Sequence, residues 1–160
     1  MTAVSVGQGT GPLYSFALCF DGVDAAVDAN DPDAIVISGR VLDGNGEPAR
    51  RPTAMIEFLG HDCFARTQTD DDGVYRAVIA KPAPAEGTAP HLEVLLYLFP
   101  VSDHLVTRMY FPADDAVLAS DEVLAVVPAD RRRTLIATAT GRELQFDIRV
   151  QGGDETVFFD

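Results

Sequence analysis

In the stretch APHLEVLLYLF (residues 89–99) a histidine and a glutamate stand two places apart at the head of an apolar run. In a strand, positions i and i+2 point to the same side. His91 and Glu93 therefore share a face with Leu95, Tyr97 and Phe99, while Leu92, Val94, Leu96 and Leu98 make the other. An imidazole beside a carboxylate can hold ferrous iron or zinc once a third group joins. The other two histidines, His61 and His104, are the candidates for that role. No third ligand stands at a defined spacing, so an independent metal site, the remains of one and an ordinary edge feature all stay open at this point.

The remaining reactive side chains have plainer uses. Cys19 in FALCFDG and Cys63 in HDCFAR sit among aromatic or apolar neighbours, as buried free thiols do. A nucleophilic cysteine needs a base and an electropositive setting, and only His61 is at hand. The run DDDG (70–73) suggests calcium, but an EF-hand loop alternates its ligands over about twelve residues and ends on a glutamate. Here VYRAVIA follows, so the aspartates read as a solvated turn. Arg131, Arg132 and Arg133 form a basic run that reads as a solvated turn or a docking point for an acidic partner patch.

The elements that must position these residues are short. The 160 residues fit one domain with a proper core. Hydrophobic residues make up 47 %, too many for a disordered chain. A net charge of -13 excludes nucleic acid and anionic membrane as partners. No apolar stretch approaches the ~20 residues of a membrane span, and the opening residues lack the basic start of a secretory signal, so a cytoplasmic protein is expected.

Residues 1–33 read as an irregular arm, with room for a short helical turn in DAAVDANDPDA. Strands are expected at 34–43, 53–60, 63–69, 74–80, 89–99, 103–111, 134–140, 143–150 and 156–159. Turn signals separate them, notably DGNGEP (43–48) and Gly141-Arg142. One short helix is expected at 120–127, with Ser120 as its cap, Asp121 and Glu122 in its first turn and Pro128 at its end. This pattern predicts an all-β fold, a β-sandwich of 34–160 with an irregular N-terminal arm and one short helix.

Several segments then line up with one family: GTGPLY, SGRVLDGNGEPA, RTQTDDDGVY, KPAPAEGTAPHLEV, TRMYFPAD, VLAVVPADRRRTLIA and FDIRVQGGDETVFFD. Together they resemble the intradiol ring-cleavage dioxygenases, and within that family its non-iron α chains, whose complexes act on protocatechuate or a related substituted catechol. The resemblance implies a transthyretin-like β-sandwich that pairs with an iron-bearing β chain and assembles into a higher αβ oligomer. It implies Fe(III) in that partner, held by two tyrosines and two histidines. A catechol-type ring is then opened by O2 between its two hydroxyl-bearing carbons, giving a cis,cis-muconate.

The family's histidine pair falls on His91-Leu92-Glu93, so one imidazole has become a carboxylate. One tyrosine ligand falls on Ala85 or its neighbour in KPAPAEG. The excursion that carries the other tyrosine is absent from EFLGHDCFARTQ. The resemblance thus implies no metal and no catalytic residue in this chain. His91 and Glu93 would be vestigial positions, His91 hydrogen-bonded and Glu93 paired with an arginine or facing a subunit boundary. Gly11 and Pro12, preceded by Gly9 and Thr10, match the segment that walls the partner's iron pocket. An arginine expected near the substrate falls on Phe99, while Arg66 and Arg108 match family positions where ion pairs are the default. The missing excursion and arginine favour a second reading, a stand-alone β-sandwich binding module. The intact ending FDIRVQGGDETVFFD favours the first.

Overall fold

Alternation of apolar and polar residues sets two sheets. The computed structural model describes residues 11, 13–83, 87–101 and 103–159. The first sheet is built on β1 (Ala34–Leu42), β4 (Val74–Ala80), β7 (Thr138–Thr140), β8 (Glu143–Gln145) and β9 (Ile148–Arg149). Its order is β4-β1-β8-β7, with β9 also on β1. The second contains β2 (Ala54–Gly60), β3 (Cys63–Gln68), β5 (His91–Leu98) and β6 (Leu105–Tyr110) in the order β3-β2-β5-β6. Ile37, Val41, Tyr75, Ala77, Ile79, Leu144 and Ile148 of the first pack on Ile56, Phe58, Ala65, Leu92, Val94, Leu96 and Met109 of the second. This face-to-face packing is the expected β-sandwich. No helix among the described residues is long and apolar enough to cross a membrane.

The expected strand at 143–150 is broken in two. β8 and β9 both pair in parallel with β1, but Phe146 and Asp147 leave the ladder between them. Their polar groups are satisfied otherwise: the Tyr75 hydroxyl donates to the Phe146 carbonyl, and Arg40 N donates to Asp147 Oδ1 at 3.0 Å. The crossing happens at Gly39, where an added Cβ would overlap the Phe146 carbonyl and crowd the Tyr75 hydroxyl.

The expected single helix at 120–127 is instead two, α2 (Asp115–Ala119) and α3 (Glu122–Val126). The cap of α3 is Asp121 rather than Ser120. Asp121 Oδ1 accepts from Val123 N at 3.0 Å and Leu124 N at 2.9 Å, whereas Ser120 turns back to donate to Val117 O. Asp121 is also a tertiary tie, accepting from Ala89 N at 2.9 Å and the Tyr110 hydroxyl at 3.0 Å. Burial alone would raise its pKa, but hydrogen bonds from Leu124, Ala89, Tyr110 and Val123 together hold it below the usual carboxylate value. Around this carboxylate a second core forms from Ala89, Tyr110, Leu124, Val127 and Leu135.

The expected strand at 134–140 shortens to β7, because Arg132–Leu135 form a 3-10 turn. The arginine run explains it. Arg132 donates to Val127 O at 2.9 Å and Ala125 O at 3.1 Å, taking up carbonyls left over where α3 ends. Arg131 donates to Glu155 O at 2.6 Å, and Arg133 pairs with Asp154 at 2.5 Å. The run serves its own chain. Residues 156–159 contribute an isolated bridge, Val106 to Phe159, rather than a strand.

At the N-terminal side the helical turn lies at α1 (Tyr14–Leu18), upstream of the expected DAAVDANDPDA. The latter stretch instead bridges to β4: Ala26 N donates to Val78 O and Val78 N to Asp24 O, each at 2.8 Å. Arg66 N of β3 donates to Val23 O at 2.8 Å, so this segment crosses the edges of both sheets.

Two outcomes test these ties. Gly39→Ala should destabilise the chain by about 3 kcal/mol, since the new methyl group has nowhere to go, and urea unfolding would read it. Asp121→Asn should lower the urea midpoint at neutral pH. The native carboxyl has the lower pKa, so the unfolded state takes up protons first. The gap between wild type and variant should therefore be constant above about pH 5 and narrow below about pH 4. A gap that does not narrow in acid would contradict the four-donor account.

Candidate functional site

Strand β5 places His91 and Glu93 on the outer face of the second sheet, because Leu92, Val94 and Leu96 turn inward and are fully buried. The alternation expected from the sequence is met. His91 Nδ1 lies 2.8 Å from Ala89 O, which fixes it as the N–H donor and leaves Nε2 as the open nitrogen. The ring lies 5.2 Å from that of Tyr110, whose hydroxyl is held by Asp121. Burial pushes the Tyr110 pKa up to about 12, so the phenol stays neutral. The Asp121 tie at Ala89 thus fixes the approach to His91 from two sides.

Glu93 is exposed and stands opposite Arg108 in the β5–β6 register, with no ion pair among the described residues. Arg108 is aimed instead at the Tyr110 hydroxyl, 3.4 Å away. His91 and Glu93 line a cleft of about 420 Å³ together with Leu59, Gly60, His61, Pro82, Ala83, Thr88, Ala89 and Pro90.

Among the described residues the three histidines stand apart. His61 sits in the turn between β2 and β3, almost wholly exposed and paired with Asp62 at 2.9 Å, which raises its pKa through a side-chain hydrogen bond. His104 stacks on Tyr97, 5.5 Å between ring centres, at the far end of β5. Among the described residues no three of His, Cys, Asp and Glu come close enough to share an ion. Ala85, where a tyrosine would stand, lies outside the described residues. The β2–β3 pairing runs to its last rung, Gly60 to Cys63, so the second excursion is reduced to His61-Asp62.

The other sequence candidates are dispersed. Gly11 is exposed, and its carbonyl accepts from Tyr14 N at 3.5 Å. Thr10 and Pro12 lie outside the described residues. Phe99 is 42 % exposed, and its N–H donates to Thr53 O at 2.9 Å. Cys19 and Cys63 are free, half-buried and raised in pKa chiefly by burial, the reverse of an activated thiol. Asp70 Oδ1 accepts from Asp72 N and Val74 N at 2.9 Å each, so the DDDG run is a turn whose first carboxylate serves the backbone.

The ion pair expected at Arg66 is present, but its partner escaped the sequence reading. Glu57 on β2 is 6 % exposed and pairs with Arg66 on β3 at 2.6 Å, with Tyr97 of β5 3.4 Å from its other oxygen. The signal was available. A two-residue turn at His61-Asp62 sets Glu57 directly opposite Arg66.

No protein-family profile matches the chain. Whole-chain relatives are more telling. The protocatechuate 3,4-dioxygenase alpha chain of Burkholderia cepacia is 34 % identical over 190 aligned positions, covering 96 % of this chain and 95 % of the relative. The beta chain of the enzyme from the same organism is 30 % identical, covering 78 % of this chain and 67 % of that one. Among solved structures, the dioxygenase domain of a dioxygenase–carbohydrate-binding protein fusion from Streptomyces sp. SirexAA-E superposes with a TM-score of 0.63. It is 19 % identical and matches 80 % of this chain and 86 % of that one, which bears on the fold alone. An α-chain relative matched almost end to end, on a sandwich shared with a solved dioxygenase, places this chain in the intradiol ring-cleaving dioxygenases, as an α chain of the protocatechuate 3,4-dioxygenase type.

Proposed function

We propose that this chain is the non-iron subunit of a heteromeric dioxygenase. Its β partner holds the iron, and the complex opens a catechol-type ring, protocatechuate or a related substituted catechol, with O2. The observation that carries the reading is His91-Leu92-Glu93. One imidazole is tied to Ala89, its neighbour is an exposed carboxylate, and no third donor joins them among the described residues. A metal centre needs a full ligand set with its supporting shell. His91 and Glu93 are then vestigial positions.

In this reading residues 1–33 are the arm and 34–160 the sandwich. The segment Thr10-Gly11-Pro12 lines the partner's pocket. A Cβ at Gly11 would meet none of the described residues within 4 Å, which suits a backbone that another chain approaches. Similarity to both α and β chains supports a heteromer, and an end-to-end match to an α chain disfavours a stand-alone module. The strong negative charge and the lack of a spanning helix among the described residues suit a cytoplasmic complex free of nucleic acid.

Co-expression with the candidate β chain tests this directly. A burgundy complex, coloured by tyrosinate-to-iron charge transfer, should form with iron, while this chain alone should be colourless and iron-free. Stoichiometric iron in the isolated chain, lost in His91→Ala, would overturn the assignment. Phe99, standing where the family places an arginine, removes one cationic neighbour from a ring carboxylate. The complex should therefore turn over catechol or other substituted catechols at rates comparable to protocatechuate. Exclusive use of protocatechuate would show that the β chain, or another residue, reads the carboxylate.

A further inference from the structure

The outer face of the second sheet carries a buried ion pair that the His91 cleft does not use. Arg66 Nη2 and Nε lie 2.6 and 2.7 Å from Glu57 Oε1, with the two side chains 19 % and 8 % exposed. So dry a pair is weak evidence for stability, since well-packed apolar replacements are often neutral or better. Here it leaves one guanidinium nitrogen over. Arg66 Nη1 donates to the carbonyl of Leu18, the last residue of α1, at 3.3 Å. The backbone N–H of the same residue donates to Val23 O at 2.8 Å. One residue thus grips the N-terminal segment on both sides of the turn through Cys19–Gly22.

The helix needs that grip. α1 has five residues, no side-chain cap and one buried residue, so it cannot hold itself. Its first turn is fixed by the Tyr14 hydroxyl, which donates to Tyr97 O at 2.7 Å, and its last by Arg66. The carbonyl that holds Tyr14 is placed by the β2–β5 ladder, so of the two holds only Arg66 depends on the Glu57 carboxylate. From the first turn a backbone bond leads to Gly11.

We infer that Arg66, locked by Glu57, is a positioning residue for substrate binding: it seats α1, and through α1 it sets where Gly11 meets the partner's pocket. The inference rests on the proposed role of Gly11 at the partner's pocket and adds the device that places it.

The test uses the purified αβ complex and steady-state kinetics on the better of protocatechuate and catechol. The double variant Glu57→Gln/Arg66→Met leaves no buried charge unpaired and should assemble. Its expected signature is unchanged iron content, kcat within about twofold and KM raised roughly tenfold. Amide exchange over residues 14–26 should quicken. Arg66→Lys keeps the charge without the fork and should fall between. If the double variant does not assemble, Arg66→Lys decides by the same KM criterion. Loss of complex with normal KM in what assembles is the mark of a merely structural pair and overturns the inference. Gly11→Phe adds bulk where none of the described residues stands within 4 Å of the new Cβ, and it probes the wall separately. A KM shift there without one in the Arg66 variants sinks the positioning role alone. No shift in Gly11→Phe sinks both.

Discussion

Strand β1 carries three strand neighbours, and at Gly39 it does so without a side chain in the way. On one side lies Tyr75 of β4, its cross-strand partner; on the other, the chain leaves β8 and re-enters at β9. The missing Cβ lets the Tyr75 hydroxyl reach the Phe146 carbonyl across β1. Burial pushes the Tyr75 pKa well up, and the Asp147 charge adds to this, so the phenol remains a donor. The inner side chains on both flanks, Leu144 and Ile148, reach the common core only because the break between them is satisfied. The first sheet, and with it the floor under the second, depends on this contact.

The two sides of the second sheet have different tasks. Its inner side is apolar apart from the buried Thr67 and Thr107. Its outer side divides along β5: one end carries His91 with the Asp121 core, the other Tyr97 with Glu57, Arg66 and the N-terminal segment. One end of β5 thus presents a tethered imidazole, and the other holds a helix.

Much of this was legible in the sequence. Alternation over 91–98 placed each β5 residue on its correct face, and the turns at Gly73 and Gly141, both with positive φ, fell where Asp-Gly and Gly-Arg announced them. The losses have local causes. Ser120 and Asp121 are both good caps, and only the distant Ala89 and Tyr110 decide between them. The strand at 143–150 looked continuous because the residues that break it are remote in sequence, Tyr75 lying 71 positions from Phe146 and Gly39 further still, yet they meet it in space. Arg131 and Arg132 read as surface because their acceptors are backbone carbonyls, which leave no mark in composition, whereas Arg133 does stay largely exposed beside Asp154. For the site, residue types exposed the incomplete ligand set at His91 and Glu93, but the Glu57–Arg66 pair needed the register.

The turn at His61-Asp62 has a consequence for how this lineage can vary. Pairing on both sides is complete to Gly60 and Cys63, and the two turn residues are 94 % and 92 % exposed in their side chains. Nothing in the core touches them, and lengthening a surface loop costs only about 0.6 kcal/mol per doubling. Chain length at this point is therefore uncoupled from folding. A long excursion can be gained or shed here without repacking the sandwich, so this turn is where the scaffold is free to change its outline.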